Sequence, residues 1–301
     1  MVAKTRKARK SNLLLQTFWT GKPLSRMERA ALQSYVNVGY TVHIYTYNPL
    51  NEFKKQVPSR HIKVHDAREI LPEEQLFQYD GRAEIGKRDD AYSYLPFSDL
   101  FRFTMLHKNG GAWIDLDIFM MRPIPPSVLK PYVFSSERTI QKGAYKKAEP
   151  EIVDMGFIKV PGPASPLTTW ILEHIPTGLL TLKTPFDYMN LYRKGIAALS
   201  LQKYVLGADA FLPLNWWDVK DSFAEGAGLP GVCYRGKYGT APFCIDTLKS
   251  PSVYGVHWFR AILRKKGLPY ERAQNRQVED NLYERMIAQI EDDAGLGRNS
   301  L

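Results

Sequence analysis

Apolar positions along the chain fall into short runs separated by turn residues, and the spacing within successive runs alternates between strand-like and helix-like. Leu13 to Trp19 is apolar over the length of a buried strand and is closed by Gly21-Lys22-Pro23. Ser25 then suits the cap of a helix from Met27 to about Val38, ended by Gly39. Thr41 to Tyr47 is a β-branched and aromatic run stopped by Asn48-Pro49. Strand, helix, strand in this order predicts a βαβ opening, an α/β fold, and a largely parallel sheet whose ligands bind at the carboxyl edge. Further strands are predicted over Ile62 to Val64, Tyr132 to Glu137 and Ile152 to Val160. Helices are predicted from Arg68 to Gln78, from Ser165-Pro166 to about His174, and from Tyr188 to Leu206. Leu282, Met286, Ile287 and Ile290 repeat at helical spacing, so the chain should finish on a packing helix.

The stretch from Ser98 to Met121 is the most informative. Ser98 is a candidate N-cap with Asp99 in the first turn, and apolar Leu100, Phe101, Phe103, Met105 and Leu106 describe a helix buried on more than one side. Gly110-Gly111 gives the turn, and Ala112-Trp113-Ile114 a buried strand. Asp115-Leu116-Asp117 then breaks an apolar segment that resumes at Ile118. Two carboxylates in such surroundings repel one another and lose hydration, so they call for a cation or strong donors. Read as extended chain, Asp115 and Asp117 share a face, and hard oxygen ligands so placed suit Mn²⁺ or Mg²⁺ holding a diphosphate. Asp99 and Arg102, at i and i+3, share a helix face and supply a fork-shaped donor with its partner. Adjacent Asp89-Asp90 points opposite ways in extended chain and is not read as a second metal pair.

Composition narrows the setting. With 301 residues, 44% of them hydrophobic, there is ample material for a core. The net charge is +10, but Lys4, Arg6, Lys7, Arg9 and Lys10 carry half of it without an intervening acid. The expected layout is a disordered basic arm over 1–11, one catalytic domain over 12–265, and a helical extension over 266–301 packed on it. The arm could touch anionic lipid. No motif that reads nucleic acid accompanies the charge. No run of about 18 apolar residues is present, which points to a cytoplasmic protein with at most peripheral membrane contact. In that compartment Cys233 and Cys244 are expected to stay reduced.

The run Phe97-Ser98-Asp99-Leu100-Phe101-Arg102, followed by Gly110-Gly111-Ala112-Trp113-Ile114-Asp115-Leu116-Asp117, resembles the DXD sugar-binding region of glycosyltransferase family 32. The resemblance implies a GT-A fold with a Rossmann-like, mainly parallel central sheet flanked by helices. It further implies a retaining transfer of a hexose from a nucleotide-diphosphate sugar, UDP-hexose being favoured, to a glycan or lipid-linked oligosaccharide hydroxyl. Residue by residue, it places Asp115, Asp117 and His257 on the metal, and Trp19 against the nucleotide base. Asp99 and Arg102 would grip the sugar, Asp115 would also reach the donor, and Trp258 would cover it. Asp154 stands where the family often has Asn, which leaves its role open. The alternative is a haloacid-dehalogenase-like phosphohydrolase with Asp115 as nucleophile. Against it, Phe119 stands where that motif has Thr or Val.

Overall fold

The computed structural model describes residues 13–75, 79–80, 92–140, 148–175, 185–227, 229–234, 238, 242–268, 270–271 and 281–295. The chain opens as predicted, with β1 (Leu14–Phe18), α1 (Arg26–Asn37) and β2 (Thr41–Thr46), then α2 (Leu50–Lys54) and β3 (Ile62–Asp66). At the start of α1 the Ser25 N–H donates to the Glu28 carboxylate at 2.7 Å, as a capping box requires. Short strands β4 (Tyr79–Asp80) and β5 (Tyr92–Ser93) precede α3 (Leu95–Asn109), β6 (Gly111–Ile114) and β7 (Ile118–Met120). The long strands β8 (Val133–Ile140) and β9 (Ala148–Val160) lead into α4 (Pro166–Glu173) and α5 (Pro185–Ala198). The chain ends through β10 (Cys233–Tyr234), β11 (Phe243–Cys244), β12 (Gly255–His257), α6 (Arg260–Lys265) and α7 (Leu282–Asp293).

Six strands form the central sheet in the order β3-β2-β1-β6-β9-β8. β1, β2, β3 and β6 run parallel, β9 pairs antiparallel to β6, and β8 pairs antiparallel to β9. Alternation along the strands divides the core. Ala112, Ile114, Val133 and Phe157 pack with α1 and α7 on one face, while Trp113, Phe134 and Ile158 pack with α3, α4 and α5 on the other. β7 leaves this sheet and pairs with β12, so Ile118 lies opposite His257.

Several expectations are adjusted. α3 begins at Leu95, three residues before Ser98, because Pro96 in the first turn is already set for helical φ. The predicted helix over 68–78 is replaced by 3₁₀ turns at Ala67–Glu69 and Glu73–Gln75, with 76–78 outside the described residues. α5 stops at Ala198, short of Leu206. Asp115-Leu116-Asp117 is a turn between β6 and β7, closed by the Ile118 N–H on the Asp115 carbonyl at 3.2 Å. The Gly110-Gly111 turn holds: both have positive φ, +66° and +79°, and a Cβ on Gly110 would lie 2.6 Å from the Gly162 backbone. Cys233 and Cys244 are joined in a disulfide, against the expectation of free thiols, because they stand directly opposite each other on the β10–β11 ribbon. The basic arm and Asp89-Asp90 lie outside the described residues. Among the described residues no helix is long and apolar enough to cross a membrane.

Candidate metal and donor site

The carboxyl end of β6 delivers Asp115 and Asp117 from one tight turn rather than from one strand face. The turn is tied to three elements. Asp115 N–H donates to the Gly156 carbonyl of β9 at 2.9 Å, the Tyr35 hydroxyl of α1 donates to the Asp115 carbonyl at 2.7 Å, and Trp258 N–H donates to the Asp117 carbonyl at 2.8 Å.

Each carboxylate has its own support. Asp115 Oδ1 accepts from Trp113 Nε1 at 2.7 Å and from Arg102 Nη2 at 3.0 Å. Asp117 Oδ1 lies 3.2 Å from His257 Nε2, and its Oδ2 accepts the Arg260 backbone N–H at 2.8 Å. That N–H points at Asp117 because Phe259 takes a left-handed conformation, φ +50°, at the start of α6. Phe259 also stacks on His257, ring centroids 4.3 Å apart. One ligand atom each from Asp115, Asp117 and His257 lies within 4.8 Å of the others. The side chains of the two aspartates are 25% and 15% exposed, so the cluster reaches the surface through them.

Charge is unevenly shared here. Burial raises Asp115 to about 6 from 3.8, with Arg102 opposing the shift and Asp117 adding to it. Asp117 is lowered instead, since His257 outweighs the cost of burial. His257 rises to about 9: burial alone would lower it, but Asp117 prevails. Beneath lies Asp99, raised to about 7 by burial against the pull of Arg102. Asp154, doubtful from sequence, is a buried acceptor for the Ser135 hydroxyl at 3.0 Å and the Gly156 N–H at 2.8 Å.

Five of the seven residues foreseen from sequence, Asp99, Arg102, Asp115, Asp117 and His257, therefore meet. Trp19 adjoins them through Arg260, whose guanidinium stacks 4.6 Å from its ring. Two placements differ from the expected roles. Arg102 and Asp99 have side chains only 3% exposed and sit behind Asp115, so they support it rather than line the surface. Trp258 is 0% exposed and packs against Phe119 and Tyr283, so its ring is a core residue rather than part of the exposed cluster. Arg260 was not foreseen; its role rests on a backbone N–H, which no side-chain pattern announces.

Residues 87–152 match the family described as "Capsular polysaccharide synthesis protein". That segment contains Asp99, Arg102, Asp115 and Asp117, and the match supports the glycosyltransferase resemblance. Comparison with curated protein sequences gives no match. Among solved structures the chain is similar to "PaToxG Glycosyltransferase", at TM-score 0.41 and 12% identity, over 95% of this chain and 87% of that one. It is also similar to a transferase carrying two cysteine-to-serine substitutions, at TM-score 0.35 and 13% identity, over 62% of this chain and 84% of the other. Nothing in these comparisons supports the phosphohydrolase alternative.

Proposed function

We propose that this chain is a metal-dependent glycosyltransferase that moves a hexose from a nucleotide-diphosphate sugar, UDP-hexose being favoured, to a glycan or lipid-linked hydroxyl with retention of anomeric configuration. The observation that carries the reading is the convergence of Asp115, Asp117 and His257, within a segment matched to capsular polysaccharide synthesis. Two carboxylate oxygens and one imidazole nitrogen fit a divalent ion of the Mn²⁺ type better than Mg²⁺, because of the nitrogen. A buried His257 Nδ1 without a hydrogen-bond partner, and an Asp115 whose Oδ2 is clear of Arg102 and Trp113, are consistent with such a ligand set. When bound, the ion would supply Lewis acidity toward the diphosphate.

The remaining work falls to the protein. Arg102 holds Asp115 from behind, anchored by the Met155 carbonyl at 2.8 Å and by the Trp113 ring at 4.6 Å. This fixes the carboxylate before any ligand arrives, as preorganised electrostatic stabilisation requires. Arg260 holds Asp117 and backs one face of Trp19, leaving that partly exposed indole as a stacking surface for the base. Asp99 keeps Arg102 in register.

The test is a thermal-shift screen of UDP-hexoses with and without Mn²⁺, followed by donor turnover and product anomericity by NMR. We expect stabilisation only with metal and nucleotide sugar together, and a loss of roughly 10²–10³-fold in turnover for Asp117→Asn. A β-linked product from an α-linked donor would end the retaining part; unchanged turnover in Asp117→Asn would end the metal part.

A further inference from the structure

Glu137 lies on β8, two strands from β6, and nothing in the local sequence singles it out. β9 brings Asp154 and Gly156 under the Asp115 turn, and β8 runs antiparallel beside β9 with Glu137 opposite Ile152. Glu137 therefore occupies the sheet edge at which the carboxylates emerge. Opposite Ile152, it lies four residues along β9 from Gly156, whose carbonyl holds the Asp115 turn.

The surroundings suit a group that waits for a ligand. Arg193 Nη2 of α5 approaches Glu137 Oε1 at 3.6 Å, too far for a hydrogen bond, while Arg193 Nε is spent on the Val153 carbonyl at 3.0 Å. One turn of α5 carries Tyr192 and Arg193 together. The Tyr192 hydroxyl is fully buried without a hydrogen-bond partner and feels the charge of Asp154. Unlike Asp99, the Glu137 side chain is 18% exposed. A carboxylate beside a guanidinium whose Nη2 has no hydrogen-bond partner supplies the acceptor and the donor that sugar hydroxyls need.

We infer that Glu137, braced by Arg193, binds hydroxyl groups of the sugar acceptor and sets its position over the donor. The inference rests on the proposed glycosyltransferase reading and deepens it. A burial-raised carboxyl, at about 7, agrees with a group kept partly desolvated beside Asp154.

The experiment uses the full chain with Mn²⁺ and a UDP-hexose panel, comparing hydrolysis by water with transfer to methyl glucoside, galactoside and mannoside. For Glu137→Gln the transfer-to-hydrolysis ratio should fall about tenfold, with the acceptor KM rising more than the donor KM. Glu137→Asp should recover part of the acceptor affinity, and Arg193→Met should shift the ratio in the same direction as Glu137→Gln. A ratio unchanged in Glu137→Gln, while the thermal midpoint moves, would make Glu137 a structural residue and overturn the inference alone. A wild-type chain that turns over no nucleotide sugar would remove the glycosyltransferase reading, and the inference with it.

Discussion

The two flanks of the Asp115-Asp117 turn are built differently. On the Arg102 flank the guanidinium, its side chain 3% exposed, meets Asp99, Asp115, the Met155 carbonyl and the Trp113 ring, and only its Nε lacks a partner. On the His257 flank one imidazole meets one carboxylate and leans on Phe259, with its second nitrogen unsatisfied. A buried guanidinium shared among several partners is a scaffold, because breaking it strands a charge. An imidazole with a single exchangeable partner can trade that partner for a metal. On the proposed reading, the contrast gives Arg102 the holding role and His257 the metal.

The strongest way to break the comparison is to remove each flank in turn. Arg102→Met should cost about 3–5 kcal/mol in urea unfolding, since Asp99 would remain buried without its cation. His257→Gln should cost roughly 1–2 kcal/mol and mainly weaken Mn²⁺ binding. Equal losses would erase the distinction.

Gly156 sits between the flanks. A Cβ there would stand 2.8 Å from Asp154 Oδ2, 3.1 Å from Ile118 Cδ1 and 3.6 Å from His257 Cε1. Gly156→Ala should therefore destabilise by about 1–3 kcal/mol and shrink the Mn²⁺-induced thermal shift. A neutral result would mean that the His257 side yields easily.

The smallest effect concerns Glu137, whose carboxyl rises to about 7 from 4.5 through burial and the Asp154 charge, with Arg193 opposing. A carboxyl raised on folding favours the folded state below its unfolded value, and that contribution is lost as pH climbs toward 7. Glu137→Gln should thus melt like wild type near pH 4 and be more stable by about 1–2 kcal/mol at pH 8. Lower stability at pH 8 would show that the ionised carboxylate is well held instead.

Local signals carried much of this. The βαβ opening, the glycine turn after α3 and the Ser165-Pro166 helix start were legible because each depends on neighbours in the chain. Asp115 and Asp117 were legible as an interruption, although a turn rather than strand alternation brings them together. His257 came from the family resemblance, since its partner lies 140 positions away, and no periodicity reports such a distance. Trp258 misled for a simple reason: next to a site residue at a strand end, the following side chain turns inward. Glu137, Arg193 and Arg260 gave no signal, because lone charges on a strand or helix look like ordinary surface until the strands are ordered.

The Asp117 carbonyl rests on the Trp258 N–H, the Trp258 ring stands edge-on to Tyr283 at 4.9 Å, and Tyr283 belongs to α7, the last helix. Clipping the chain before that helix would unroof an indole whose own backbone steadies the acidic turn. Filling the site should in turn slow deuterium uptake along α7, a quiet gauge of occupancy read far from the chemistry.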